Sequence, residues 1–172
     1  MPSLDRDDLR VALALPLALS CGVAAAPADT LLLNPFHDPF VQAISGRPCP
    51  PPLGPAYTDA QRRAEAHARI ERGTSCWLAG SCSEPNAYRY DARIADAAAA
   101  ALRADAALAG STIWVIAQRR FIELQGCVTD AAQAARAQAL VQAVPDVQAV
   151  WARLAVPGQT PAYPLAASAP AR

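Results

Sequence analysis

The second half of this chain of 172 residues predicts an α+β domain in which the elements follow the order helix, strand, strand, helix, strand. Apolar residues recur at helical spacing after Asp91, and the period then changes to two in the runs 111–118 and 121–128. A second helical pattern begins after Asp130, and a last strand-like run covers 147–156. This order favours a small mixed sheet of three strands with helices on one face.

The boundaries of these elements follow from capping and turn residues. Asp91 is predicted to be the N-cap of a first helix of about seventeen residues. Its apolar stripe consists of Ile94, Ala97, Ala98, Ala101 and Leu102. Arg119 and Arg120 join the first two strands as a hairpin. Asp130 is predicted to cap a helix that runs to about Val144, and Pro145-Asp146 separates that helix from the last strand.

Residues 1–28 are predicted to be a signal peptide. The short apolar run Val11–Leu19 precedes Ala26-Pro27-Ala28, a motif that a leader peptidase would cut after Ala28. Leu17 to Cys21 resembles a degraded lipobox, so a lipid anchor on Cys21 is the less favoured alternative. An uncleaved anchor is less favoured still, because the apolar run is shorter than the ~20 residues that span a bilayer. We therefore expect an exported protein of the periplasm, with outer-membrane association as a variant of that location.

An N-terminal arm is predicted over residues 29–86. Its first part, 29–57, is rich in Pro and should be extended. Thr58-Asp59-Ala60-Gln61 has the form of a capping box, which predicts a helix over about 59–72 that ends at Gly73. A loop with Cys76 and Cys82 should follow up to residue 86, where the domain of residues 87–156 begins.

The tail 157–172 is rich in Pro and Ala and is predicted to be disordered.

Cleavage after Ala28 would leave four of the five cysteines, an even number, which predicts disulfides in an oxidising compartment. Cys49 could bridge to Cys127 and tie the arm across the sheet, and Cys76 would then pair with Cys82. Four cysteines allow three connectivities, so the pairing stays open at this point. Metal binding is disfavoured, because no pair has CxxC spacing and His37 and His67 do not fall into a zinc pattern.

Residues 94–156 resemble the BON domain family of bacterial envelope and osmotic-stress proteins. The similarity lies in the residues 101–105 (ALRAD), 113–115 (IWV), 124–128 (LQGCV) and 147–150 (VQAV), followed by Leu154 and Val156. Two glycines that the family usually carries are replaced, one by Gln118-Arg119-Arg120 and one by Pro145-Asp146. The resemblance implies a non-catalytic module of the periplasm or outer membrane, with roles in phospholipid contact, envelope integrity or the assembly of larger complexes.

Alternation along the strands gives the predicted sheet two apolar faces. The face predicted to pack beneath the helices consists of Ile113, Val115, Ala117, Ile122, Leu124, Gly126, Val128, Val150, Ala152, Leu154 and Val156. The second face holds Trp114, Ile116, Phe121, Cys127 and Trp151, interrupted by Glu123, Gln125 and Arg153. Because exposed apolar patches mark interfaces, something should cover this face. The candidates are lipid, a protein partner, or the arm, through Phe36, Phe40, Val41, Ile44 and Leu53.

The composition and the motifs favour binding over catalysis. Fifteen basic residues, all Arg, balance fifteen acidic ones, so no nucleic-acid footprint is predicted. No enzymatic constellation, metal site or cofactor motif is apparent, and His37 with Asp38 is better explained as part of an extended packing segment. We expect a non-catalytic envelope protein that contacts a phospholipid surface. The alternative is an assembly factor that docks on another envelope protein through this domain or the arm. The candidate contact residues are Arg119, Arg120, Trp114, Trp151 and Phe121.

Overall fold

The computed structural model describes residues 30–167. The predicted signal peptide, its cleavage site and Cys21 lie outside the described residues. The elements are β1 (Leu32–Leu33), β2 (Phe40–Ser45), β3 (Ala56–Tyr57), α1 (Asp59–Leu78), α2 (Asp91–Ala104), β4 (Thr112–Gln118), β5 (Phe121–Cys127), α3 (Ala131–Gln142) and β6 (Ala149–Ala155).

The main sheet has the strand order β2-β4-β5-β6, and the predicted α+β class is confirmed. β4 pairs antiparallel with β2 and β5, whereas β5 and β6 are parallel. The second half of the chain supplies the three predicted strands, and the arm adds β2 as a fourth. The sequence did not predict β2, because this edge strand buries only Ala43 and therefore shows little alternation. β1 and β3 form a separate two-stranded sheet within the arm.

The core lies between one face of the sheet and the helices α2 and α3. The predicted inner residues of β4 and β5 are buried, among them Ile113, Val115, Ile122 and Leu124. Ala152 of the same predicted set is exposed on the edge strand β6. Asp130 is the N-cap of α3, as predicted, and its carboxylate accepts a hydrogen bond from the Gln133 N–H at 2.9 Å.

The hairpin between β4 and β5 turns through Arg119 and Arg120, which have φ values of 55° and 69°. Two consecutive residues with positive φ are typical of a type I′ turn. Neither is a glycine, so the turn needs support from elsewhere. Asp91 provides it: its Oδ2 accepts from the Arg119 N–H at 2.6 Å and its Oδ1 from the Arg120 N–H at 2.7 Å.

The prediction that Asp91 caps α2 is therefore wrong. Tyr90 occupies the N-cap position without a side-chain cap bond, and Asp91 is the first helical residue, with its side chain directed at the hairpin. α2 also has 14 residues, fewer than predicted. It ends at Ala104, because the Asp105 side chain accepts from the Ala107 N–H and starts a short 3-10 turn.

α1 continues to Leu78, so the predicted stop at Gly73 and the loop over 74–78 are wrong. Gly73 is buried against Asn86, and a Cβ atom there would lie 2.7 Å from the Asn86 side chain. This glycine permits a close approach rather than a helix end. The capping box is present, since Thr58 and Gln61 exchange backbone-to-side-chain hydrogen bonds.

The tail is ordered as far as the structure describes it, which corrects the prediction of disorder for residues 157–167. Tyr163 is 5% exposed, and its hydroxyl donates to the Pro50 carbonyl at 2.9 Å. The Leu53 N–H donates to the Pro164 carbonyl at 2.8 Å. The Pro-rich arm and the Pro-rich tail thus pair with each other, and composition alone does not reveal such pairing.

Candidate functional site

Two disulfides fasten the arm. Cys49 bonds to Cys127 across a sequence separation of 78, and Cys76 bonds to Cys82 across a separation of 6. These are the two pairings that the sequence favoured. The first attaches the extended part of the arm to the second face of the sheet, and the second closes the turn after α1.

The arm and the tail cover the middle of the second face. Residues 54–57 and Pro164 lie beside Ile116, which is 6% exposed. The Tyr57 hydroxyl accepts from the Gln118 side-chain amide at 3.1 Å. Val41 and Ile44, which were expected to cover this face, instead belong to the edge strand β2 and pack against the core.

The polar residues of this face pair with one another. Arg153 Nε lies 3.0 Å from Glu123 Oε1, and the Gln125 side-chain amide donates to the same oxygen at 2.7 Å. Trp114 is half-buried at the centre of the sheet, opposite Gln42 and Gln125, so it does not reach the open end of the face.

A buried ion pair connects the start of the arm to α1. Asp38 is 5% exposed and is paired with Arg69. The Arg69 guanidinium lies between two rings, with its Cζ 4.2 Å from the Phe36 centroid and 4.4 Å from the Tyr88 centroid. Gln118 donates to the same Asp38 carboxylate at 2.5 Å. The sequence does not predict this cluster, because no local pattern connects residues so far apart.

His37 is exposed, whereas Asp38 is buried and paired with Arg69. Among residues 30–167, no group of three or more His, Cys, Asp or Glu side chains could hold a metal ion.

One end of the second face remains open and forms a groove against α1. Phe121 and Trp151 stack there with centroids 5.1 Å apart and planes inclined by 5°. The Arg119 guanidinium lies 4.9 Å from the Phe121 centroid, and Trp151 is 55% exposed. The groove has a volume of about 190 Å³, which is smaller than the ~300 Å³ or more of typical small-molecule sites. Its lining is Glu65, Arg72, Tyr88, Ile116, Gln118, Arg119, Phe121, Glu123 and Trp151.

The side chains of the two arginines in the hairpin turn have different surroundings. Arg119 lines the groove, whereas the Arg120 Nε donates to the Asp146 carbonyl at 2.8 Å. The Arg120 guanidinium also lies 5.0 Å from the Tyr90 ring. Of the five predicted contact residues, the structure therefore brings Arg119, Phe121 and Trp151 together and leaves Arg120 and Trp114 apart. Arg72, from α1, joins the groove and was not predicted.

Asp91 holds this arrangement in place from the core side. Burial raises the pKa of its carboxyl to about 6, although the hydrogen bonds from Arg120 and Arg119 act in the opposite direction. The position of Arg119 at the groove thus depends on a carboxylate that is 2% exposed.

The fold is a small α+β module with two disulfides and a shallow groove on its surface. The family model of the BON domain matches residues 90–158. This match confirms the resemblance that the sequence of this segment shows, and β2 and α1 of the arm lie outside it. No curated protein and no solved structure matches the chain. BON domains are generally non-catalytic and typical of periplasmic and envelope proteins. In the part of the chain that the structure describes, no helix is long and apolar enough to cross a membrane.

Proposed function

We propose that this protein is a non-catalytic component of the cell envelope that binds the surface of an anionic phospholipid membrane through the open end of its second sheet face. The proposal rests on three side chains that contact one another in sequence: the Arg119 guanidinium lies over the Phe121 ring, and Phe121 stacks on Trp151. A tryptophan ring suits the boundary between headgroups and acyl chains, because it is apolar with one polar edge. A guanidinium beside it suits a lipid phosphate.

Export to the periplasm is part of the proposal. Two disulfides are typical of an oxidising compartment, and the bond between Cys49 and Cys127 holds the arm that shapes the groove. The apolar run and the cleavage motif in residues 1–28 agree with that location.

Co-sedimentation with vesicles tests the membrane contact. The wild-type protein should bind phosphatidylglycerol vesicles more tightly than phosphatidylcholine vesicles. Arg119→Ser should weaken that binding about fivefold, since one arginine near an anionic surface contributes about 1 kcal/mol. Trp151→Ala should weaken binding to both lipids. Arg120→Ser is the matched control and should bind as the wild type does, because its side chain is directed at Asp146.

If the Arg119→Ser and Arg120→Ser proteins bind vesicles equally tightly, Arg119 is not the contact residue. If the wild type binds neither phosphatidylglycerol nor phosphatidylcholine vesicles, the proposed function is wrong.

The second candidate function is docking on another envelope protein, and the free edge of β6 favours it. β6 pairs with β5 on one side, and no described strand lies on its other side. Such an edge can accept an extended segment of a partner. A photo-crosslinking residue at position 152, on this edge, should then give one stoichiometric adduct in the periplasm. The same residue at position 63, on the exposed side of α1, should give none, and adducts at both or at neither position would contradict docking through β6.

A further inference from the structure

We infer that the end of α1 and the β4–β5 turn form a binding site for a phosphate group. This inference deepens the proposed function, because it identifies where the phosphate of a lipid headgroup would bind. One side of the site, at the end of α1, belongs to the arm, and the other side, at the β4–β5 turn, belongs to the segment that matches the BON family. The site therefore exists only because the arm folds against this segment.

The groove between these two elements has the lining of an anion site. It has a volume of about 230 Å³. Two arginines, two serines and one glutamine line it, and no carboxylate does. The Ser75 and Ser81 hydroxyls already donate to the Arg72 and Cys76 carbonyls, at 2.9 and 3.0 Å, so the side-chain donors left for an anion are the two guanidinium groups and the Gln148 amide. The lining residues are Arg72, Ser75, Cys76, Ser81, Ala87, Arg119 and Gln148.

Arg119 is free to bind an anion. Its guanidinium forms no ion pair among the described residues, and the contact that the structure records for it is the face of the Phe121 ring. Its backbone is held by the bond from its N–H to Asp91, so the side chain starts from a fixed point. A donor that is already positioned loses less conformational entropy on binding.

Arg72 can serve as the second cation. One of its Nη atoms lies 2.6 Å from Glu65 Oε2, and its side chain is 45% exposed. A guanidinium has five N–H donors, so this pair leaves donors for a second anion. The Cys76–Cys82 bond and the hydrogen bond from the Ser81 N–H to the Cys76 carbonyl, at 2.8 Å, fix the opposite wall.

The neighbouring groove is the less favourable position for the anion. It shares Arg72 and Arg119, but Glu65 and Glu123 also line it and reduce its attraction for a phosphate. The two arginines therefore lie between the anion site on one side and the exposed Trp151 on the other. A phosphate ester with an apolar group could place its phosphate at the arginines and its apolar group at Trp151.

Titration with soluble phosphates tests the site directly. The wild-type protein is titrated with inorganic phosphate and with sn-glycerol 3-phosphate by NMR and calorimetry at constant ionic strength. We expect saturable binding that Arg119→Gln and Arg72→Gln each weaken about tenfold, as the loss of a charge-assisted hydrogen bond predicts. Arg103→Gln is the matched control, because Arg103 is exposed in the last turn of α2 and forms no ion pair in the described part of the chain. Near-UV circular dichroism of each variant verifies that the fold is retained.

The absence of saturable phosphate binding would overturn the inference, and so would equal binding by the Arg119→Gln and Arg103→Gln proteins. Vesicles identify the source of the phosphate. If Arg119→Gln weakens binding both to phosphatidylglycerol vesicles and to glycerol phosphate, the site binds a lipid headgroup. If the wild type binds soluble phosphate in this way but does not bind vesicles, the site binds a soluble phosphate ester. The proposed membrane function is then wrong.

Discussion

Replacing Asp91 by Asn should remove a pH dependence of stability that originates at one buried carboxyl. Asp91 is 2% exposed and accepts the N–H groups of Arg119 and Arg120 at 2.6 and 2.7 Å. Burial outweighs these two hydrogen bonds and raises the pKa of Asp91 to about 6, from the usual value of 3.8 for an aspartate.

The sign of the effect follows from proton linkage. The native state binds the proton of Asp91 more tightly than the unfolded state does, so the free energy of unfolding falls as the pH rises from about 4 to about 6. Above the folded pKa the contribution becomes constant. A difference of about two pKa units corresponds to a loss of about 3 kcal/mol across this window.

Chemical denaturation under non-reducing conditions at a series of pH values between 4 and 7.5 measures this loss. Asp91→Asn keeps the shape of the side chain and does not titrate, so the wild type should lose about 3 kcal/mol relative to the variant as the pH rises through the window. Carboxyls whose pKa is lowered, such as Asp105 with its hydrogen bond from Arg136, act in both proteins and cancel in the difference. If the difference in unfolding free energy between the two proteins is constant, or changes in favour of the wild type as the pH rises, the pKa of Asp91 is not raised in the folded protein.

Three further variants have effects that the structure determines. Gly126→Ala should lower the free energy of unfolding by more than about 3 kcal/mol in denaturant titrations. Gly126 has a φ of 146°, and an added Cβ would lie 2.0 Å from the Thr112 carbonyl oxygen. A loss below about 1 kcal/mol would contradict this backbone conformation. Changing both Cys49 and Cys127 to Ser should cost about 4 kcal/mol, because the bond closes a loop with a sequence separation of 78. Limited proteolysis should then cut the arm before the domain, and simultaneous cleavage would show that the arm does not rely on this bond. Arg69→Met should cost about 3 kcal/mol by thermal unfolding, since it leaves a buried carboxylate without its partner, and an unchanged midpoint would show that the ion pair contributes no net stability.

The elements of the second half were predictable because their signals are local. Asp130 caps α3 through its own helix, and the alternation of β4 and β5 records a face that is buried along its whole length. The hairpin turn was placed at Arg119 and Arg120, although neither residue is a usual choice for positive φ. The reason is that alternation predicted a strand before residue 119 and another after residue 120, which left only these two residues for the turn.

The features that the sequence did not reveal all depend on contacts between distant residues. Asp91 has the residue type of an N-cap, and only its position against the hairpin shows that it supports a turn instead. β2 has few buried side chains, so its place at the sheet edge is visible only in its pairing with β4. Arg69 and Asp38 are 31 residues apart and meet because the arm folds back onto α1.

The candidate site was predictable in part. Alternation put Phe121 and Trp151 on the same face, and parallel pairing of β5 with β6 brings them into contact. The sequence could not separate Arg119 from Arg120, since adjacent turn residues carry no signal for the direction of their side chains. It also could not supply Arg72, because the packing of α1 against the turn is a tertiary contact.

Fluorescence of Trp151 in the presence of lipid measures whether this ring lies at the membrane boundary. In a protein with Trp77→Phe and Trp114→Phe, Trp151 is the only tryptophan, and phosphatidylglycerol vesicles with bromine atoms near the top of the acyl chains will quench a ring that lies at the membrane boundary. We predict strong quenching that decreases when Arg119 is changed to Ser. Emission from Trp151 that is identical with and without brominated vesicles, under conditions in which the protein co-sediments with them, would contradict the assignment of this face to the membrane.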